Sequence, residues 1–224
     1  MQRNYKIISI EGNIGSGKST LLENLRKHYE KDNRIIFLRE PVDDWDKIKD
    51  NSGNTILKKF YLDQQKYSFP FQMMAYISRL KILRDAVKNI ENEPHSYIII
   101  TERCLYTDKH VFAKMLYDQG SIEDVCYQIY LNWFEEFASD YPISNIVYVQ
   151  TSPENCHKRI HKRARDGESI IPLDYLNKCH EYHEEYVKNT ILQITNLTLN
   201  GNIDIYENEN MVSEWIKQIE TTIR

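Results

Sequence analysis

A chain of 224 residues lies within the size that one hydrophobic core supports, with room for a lid. Its 29 Lys and Arg stand against 33 Asp and Glu, a net charge of −4, so the molecule as a whole offers no positive field for nucleic acid or an anionic membrane surface. Charged residues make up 28% of the sequence without long like-charge blocks, and no apolar run nears the ~20 residues of a membrane span, which excludes a disordered chain and a helical membrane protein.

Taken in chain order, Met1 to Asn4 lead straight into an apolar run, which predicts no targeting segment and a cytoplasmic protein. Tyr5–Ile10 is β-branched and nearly continuously apolar, as a strand buried on both faces should be, and Lys18–Tyr29 follows with helical spacing. Arg34–Leu38 reads as a second strand, Thr55–Tyr67 and Phe71–Ile90 as helices, and Tyr97–Thr101 as a third strand. Leu105–Tyr117 and Ile122–Ser139 are helical by pattern, Asn145–Gln150 is a fourth strand, and Pro153–Arg163 and Leu173–Thr190 are helices. Ile203–Tyr206 reads as a fifth strand and Met211–Thr222 as a closing helix. Pro70, Pro153 and Pro172 stand where they could open helices, with Asn54 and Ser121 as N-caps. Strands alternating with helices predict an α/β fold: a five-stranded parallel sheet flanked by helices in one domain spanning 1–224.

Cys104, Cys126, Cys156 and Cys179 form no Cys-x-x-Cys and predict free thiols. His157 and His161, then Cys179, His180 and His183, match no standard zinc spacing and read as histidines on helix surfaces.

In a parallel sheet chemistry collects beyond the carboxyl ends of the strands. After the first strand comes Gly12-Asn13-Ile14-Gly15-Ser16-Gly17-Lys18-Ser19, the G-x-x-x-x-G-K-[ST] phosphate loop. Its glycines let backbone N–H groups turn inward around phosphate oxygens at the positive end of the next helix, Lys18 adds a point charge, and Ser19 can place its hydroxyl on Mg²⁺. Only seven glycines occur in the chain and three fall between Gly12 and Gly17, which a merely structural turn does not explain. Nucleoside triphosphate binding is the reading. The second strand is followed by Glu40-Pro41-Val42, the third by Glu102-Arg103 and the fifth by Glu207-Asn208-Glu209.

Gly12–Thr20, Glu40 to Trp45, Tyr67 to Gln72, Glu102-Arg103 with Asp108 and Phe112, and Arg159 to Leu173 together resemble the deoxynucleoside kinases, and most of all the branch containing deoxycytidine and deoxyguanosine kinases. The resemblance runs in order over nearly the whole chain. It implies a P-loop kinase fold with an arginine-rich lid at about 159–171, and transfer of the γ-phosphate of ATP or another nucleoside triphosphate to the 5′-hydroxyl of a deoxynucleoside in nucleotide salvage. Glu40 matches the family's general base; Glu102 matches the residue that helps hold Mg²⁺ beside Ser19, and Arg103 the one that stabilises transferring phosphate and orients the base. Arg159, Arg163 and Arg165 match lid arginines that close on the triphosphate, together with the loop residues Gly12 to Thr20.

For the acceptor, the resemblance makes Gln72 the amide that reads the base edge, Phe71 and Phe112 the rings beside it, and Trp45 and Leu57 pocket walls. Tyr61 and Glu168 match the pair that holds the sugar 3′-hydroxyl. Arg79 and Asp108, with Ala75 alongside, match a charged pair that favours deoxycytidine and purine deoxynucleosides over thymidine. The donor-base loop, Glu207-Asn208-Glu209-Asn210, lacks the aromatic residue that often ends it in the family, so ATP and UTP stay open as donors. The family's members are commonly homodimers through two long helices, here Phe71–Ile90 and Ile122–Ser139.

Two other readings use the same loop. A thymidylate-kinase-like nucleoside monophosphate kinase shares Arg-Glu-Pro after the second strand, but typically continues Gly-Gly, whereas Val42-Asp43-Asp44 would repel a monophosphate acceptor. A non-catalytic nucleotide-binding subunit of the same fold is opposed by intact Lys18, Ser19, Glu40, Glu102 and Arg103.

Overall fold

A computed structural model describes residues 3–165, 167–190, 194–205 and 208–223, without the side chains of Glu209 and Ile223. Its elements are β1 (Tyr5–Glu11), α1 (Lys18–His28), β2 (Ile35–Leu38), α2 (Val42–Trp45), α3 (Ile56–Leu62), α4 (Gln64–Ile90) and β3 (Tyr97–Glu102). Then come α5 (Leu105–Thr107), a π-helical stretch (Asp108–Ala113), α6 (Lys114–Asp118), α7 (Asp124–Ala138), β4 (Asn145–Gln150), α8 (Pro153–Arg163), α9 (Leu173–Thr190), β5 (Thr195–Asn200) and α10 (Glu209–Ile223).

The five strands run parallel in the order β2-β3-β1-β4-β5. The chain starts near the middle, steps out to β2 and later to the other side, so β1 lies at the point where the winding reverses, and a crevice opens at its carboxyl end. Ile7, Ile8 and Ile10 are inaccessible to solvent because helices cover both faces of the sheet. Leu21, Leu22 and Leu25 of α1 pack with Trp215, Ile216 and Ile219 of α10 on one face. Tyr76, Leu80 and Leu83 of α4 pack with Tyr130 and Phe134 of α7 on the other. Among the described residues no helix is long and apolar enough to cross a membrane.

The fifth strand corrects the sequence reading. It is Thr195–Asn200, whereas Ile203 and Ile205 lie in the loop beyond it, and Tyr206 is outside the described residues. At the sheet edge only Leu199 of this strand is buried, so the signal is alternation rather than the continuous apolar run sought. Thr55–Tyr67 is likewise two helices: Thr55 Oγ1 caps α3 by accepting from Lys58 N at 3.2 Å, and Asp63 caps α4 by accepting from Lys66 N at 3.1 Å. Asn54 and Ser121 therefore cap nothing, and α7 begins after Glu123. Pro70 lies inside α4, where its missing N–H withholds one bond from the Lys66 carbonyl. Cys179 and His183 are fully buried rather than on a helix surface. The four cysteines are free, as expected.

Candidate active site

Loop residues after β1 turn back under the start of α1 because two glycines carry what no other residue could. Gly12 and Gly15 have φ of +147° and +79°, and a Cβ on them would stand 2.6 Å from Ser16 Oγ and from the Cys156 carbonyl of α8. Asn13 is buried; its amide donates to the Leu176 carbonyl at 2.8 Å and its Oδ1 accepts from Ile14 N at 2.8 Å, which ties the loop to α9. Ser16 Oγ is buried without a partner, while its carbonyl accepts from Thr151 Oγ1 and Arg159, each at 3.1 Å. Lys18 donates to the Asn13 carbonyl at 2.7 Å. Burial and the nearby Arg103 lower its ammonium to about 8.

Parallel pairing sets Glu102 opposite Ile10, so the third strand delivers its carboxyl end beside the loop. Ser19 Oγ donates to Glu102 Oε1 at 2.5 Å. Arg103 has φ of +59°, a left-handed conformation costing a side-chain residue ~1–2 kcal/mol. Two bonds hold it there: its N donates to the Ile10 carbonyl at 2.9 Å, and Thr101 Oγ1 donates to its carbonyl at 2.9 Å. The guanidinium is thereby aimed back across the sheet edge.

Glu40, two residues past β2, receives it. Arg103 Nη1 and Arg79 Nη2 both donate to Glu40 Oε1, at 2.7 and 2.9 Å. Arg79 also donates to both oxygens of Asp108, from Nε to Oδ2 at 2.8 Å and from Nη2 to Oδ1 at 3.3 Å, and to the Glu102 carbonyl at 2.8 Å. Burial by itself would raise the Glu40 carboxyl, but Arg103, Arg79 and Lys18 hold it well below the usual carboxylate range. Burial pushes Asp108 up against the pull of Arg79. Two guanidiniums thus face two carboxylates in a buried cluster, in which, among the described residues, Arg103 Nε alone of the guanidinium nitrogens has no partner. Asp108 belongs to the π-helical stretch; such stretches are frequent at functional sites.

Beyond Glu40 opens a cavity of about 770 Å³. Its walls include every sequence-predicted residue except Gly12, Asn13 and Glu207, the last outside the described residues. Trp45, Leu57, Tyr61, Phe71, Gln72, Arg79, Asp108 and Phe112 surround one end; Gly15 to Thr20 with Arg159, Arg163 and Arg165 surround the other. Trp45 is held by donating Nε1–H to Ser78 Oγ at 2.8 Å and meets Phe71 edge-on at 5.6 Å. Phe112 lies under the Arg103 guanidinium at 4.9 Å. Glu168 accepts from Arg163 and, at 3.1 Å, from Arg165.

Sequence reasoning missed Phe60, which stacks on Phe71 at 4.6 Å, and Tyr175, edge-on to Tyr61 at 5.8 Å. Both occupy core-like positions on α3 and α9, and their helical spacing carries no signal of a pocket. Lys162 and Asp204 also reach the cavity wall.

A phosphate loop on a parallel sheet binds nucleoside triphosphates, and the adjoining cavity leaves space for a second molecule, so the architecture is that of an enzyme moving phosphate between two bound partners. The model of the deoxynucleoside kinase family matches residues 8–224. A probable deoxycytidine kinase of fowlpox virus is 36% identical over 222 residues, covering 96% of this chain and 87% of the relative. Rat deoxycytidine kinase is 30% identical over 241 residues (97% and 92%), and the mitochondrial deoxyguanosine kinase of Xenopus laevis 29% over 204 residues (85% and 76%). The chain belongs to the deoxynucleoside kinase family. It is accordingly a kinase that phosphorylates deoxynucleosides, with ATP as the donor implied by that membership.

Proposed function

We propose that the chain transfers the γ-phosphate of ATP to the 5′-hydroxyl of deoxycytidine and of purine deoxynucleosides in preference to thymidine, for nucleotide salvage. The observation that carries this preference is the buried Glu40–Arg79–Asp108 cluster bordering the cavity beside Gln72. A fixed polar pair offers donors and acceptors to exocyclic groups and occupies the space of a thymine methyl, while the Gln72 amide supplies a donor and an acceptor to the base edge. Phe71 and Phe112 flank the base, Trp45 and Leu57 wall the pocket, and Tyr61 with Glu168 holds the 3′-hydroxyl.

Both arginines bond Glu40 through Oε1, so Oε2 is the oxygen left to take the proton of the 5′-hydroxyl. A carboxylate held far below its usual range is a weak base, but in a loose phosphoryl transition state the hydroxyl proton is shed late, as the new P–O bond forms. Fixed orientation then matters more than basicity. Arg103 holds the base and faces the developing phosphate charge; Lys18, the N–H groups of the loop and the lid arginines Arg159, Arg163 and Arg165 do the same for the donor.

The 2.5 Å approach of Ser19 Oγ to Glu102 Oε1 sets two hard oxygens together at the loop, which fits Mg²⁺, an ion that takes few protein ligands and shares the rest with phosphates and water. Held by Ser19 and Glu102, it would supply positive charge that offsets the negative charge of the donor triphosphate. Asp43, also on the cavity wall, supports an uncharged acceptor over a monophosphate.

The proposal includes one domain with its lid at about 159–171, a cytoplasmic location, and a homodimer. Ile77 on α4 and Val125, Ile129 and Trp133 on α7 are exposed apolar side chains that support dimerisation through these two helices. Sedimentation of Trp133→Glu beside the unaltered chain tests the homodimer. Steady-state kinetics with all four deoxynucleosides tests the preference: deoxycytidine or a purine deoxynucleoside gives the highest kcat/KM, and thymidine at the top of the series overturns it.

A further inference from the structure

Outside the cavity lining, α8 carries a feature that phosphoryl transfer does not use. His157 and His161, one turn apart, direct their Nε2 atoms at each other across 3.1 Å, with ring centroids 4.4 Å apart and planes at 83°. Two identical nitrogens face each other, and without an ion the contact is a hydrogen bond only if one ring carries the Nε2 proton and the other does not.

The separation matches a chelate. Two imidazole nitrogens bound at the usual ~2.0–2.1 Å to one ion stand about 2.9 Å apart at a right angle and about 3.4 Å apart at the tetrahedral angle. The observed distance lies between, so either geometry is reached by a small ring rotation. The helix beneath is well anchored: Ser152 Oγ accepts from Asn155 N at 3.4 Å, Pro153 occupies its first turn, and Asn202 Oδ1 accepts from Ser152 N and Asn155 Nδ2 at 2.9 and 3.0 Å. A ligand pair set one turn apart on a single helix loses little freedom when it closes on a metal.

From this geometry we propose that His157 and His161 form a two-imidazole binding site for a borderline divalent transition metal, Cu²⁺ or Ni²⁺ before Zn²⁺, with water completing the coordination. Imidazole selects such ions and leaves Mg²⁺ in solution, and affinity follows the order in which Cu²⁺ is highest. Among the described residues no group of three or more His, Cys, Asp and Glu is placed to hold a metal, so the site is open and exchangeable rather than structural. Lys158 and Lys162, exposed on the same helix, oppose a dication, while Glu154, one turn before His157 on that face, favours it. The site is separate from the Mg²⁺ position at Ser19 and Glu102.

Isothermal titration of the EDTA-stripped full chain with NiCl₂ and, separately, CuCl₂ tests the proposal, in a buffer that does not bind metal. One equivalent per chain is expected, with Cu²⁺ tighter than Ni²⁺ and no heat from MgCl₂ at the same concentration. His157→Ala and His161→Ala each remove the chelate and weaken binding by about 10²-fold, whereas His180→Ala, in another i,i+4 pair with Glu184 at 3.8 Å, leaves it unchanged. Both histidines are on the surface of α8, and circular dichroism confirms that each variant is folded. A second readout is thermal: NiCl₂ raises the melting temperature of the unaltered chain and of His180→Ala but not of the two α8 variants. Equal binding by the unaltered chain and His161→Ala, or no stoichiometric binding at all, overturns the site.

Discussion

The two ends of the cleft hold arginines in opposite ways. Arg79 at the acceptor end has 3% of its side chain exposed and spends its donors on Glu40, Asp108 and a backbone carbonyl before any substrate arrives. Arg163 and Arg165 at the donor end are 36% and 35% exposed and share a single carboxylate, Glu168. Reading a nucleobase depends on groups whose positions are fixed in advance, since a misplaced buried donor costs its full desolvation. Gripping a triphosphate depends on charge and on inward-facing N–H groups, so its side chains can wait half in water and move. In the function proposed above, the same residue type serves as a rigid template at one end and as a movable clamp at the other.

The sharpest break of this contrast is at the point where the ends meet. Glu40→Gln keeps the size and one acceptor of the side chain but cannot take the proton, and kcat should fall about 10³-fold while deoxycytidine binding by calorimetry shifts far less. Next comes Asp108→Ala, which strands part of a buried guanidinium; urea unfolding should show a loss of about 3–5 kcal/mol, against under ~0.5 kcal/mol for Arg165→Ala at the half-exposed end. Arg165→Ala should instead raise the KM for ATP. Equal stability losses in the two variants would erase the distinction.

Acidity separates the ends as well. The Glu40 carboxyl is held well below its usual range, so it stays ionised throughout the neutral and mildly acidic region, and as the proposed base it should impose no acid limb there. Lys18 is lowered to about 8, cationic below that value and neutral above it. kcat/KM for ATP should therefore decline as pH rises through about 8, while kcat, which reports the donor-bound enzyme, declines only at higher pH because the triphosphate stabilises the charged form. The ratio of the two profiles between pH 7 and 9.5 measures this.

What could be read from the sequence followed the same division. The phosphate loop is local chemistry, eight consecutive residues whose spacing is itself the site, and it was legible with the strand before and the helix after it. Arg79 is on α4, Asp108 in the π-helical stretch and Glu40 in the loop after β2, and nothing in their spacing announces that they touch; the resemblance pairs Arg79 with Asp108, and the contact of Arg79 with Glu40 comes from the structure alone. Phe60 and Tyr175 stayed hidden because a pocket wall and a core have the same helical period. Thr195–Asn200 carries a weaker apolar signal than Ile203–Tyr206, since an edge strand needs only one buried face, and the π-helical stretch at Asp108 leaves the pattern of a single helix undisturbed.

The smallest expected effect sharpens the comparison most finely, because it concerns how the template is kept rigid. Arg103 stands in a left-handed backbone conformation costing ~1–2 kcal/mol, and the Thr101 hydroxyl bonded to its carbonyl returns about 1 kcal/mol of that. Thr101→Val retains shape and strand preference and removes only the hydroxyl. Arg103 should then sample neighbouring conformations, its hold on Glu40 should loosen, and kcat should fall about fivefold, the equivalent of ~1 kcal/mol, with little change in the KM for the nucleoside. Thr101→Ser restores the bond and should restore kcat. A general weakening of the fold would lower the melting temperature of both variants without that recovery, so a Ser variant as slow as the Val variant would mean that the strained arginine is fixed by its contacts to Glu40, Ile10 and Gly12 without the Thr101 hydroxyl.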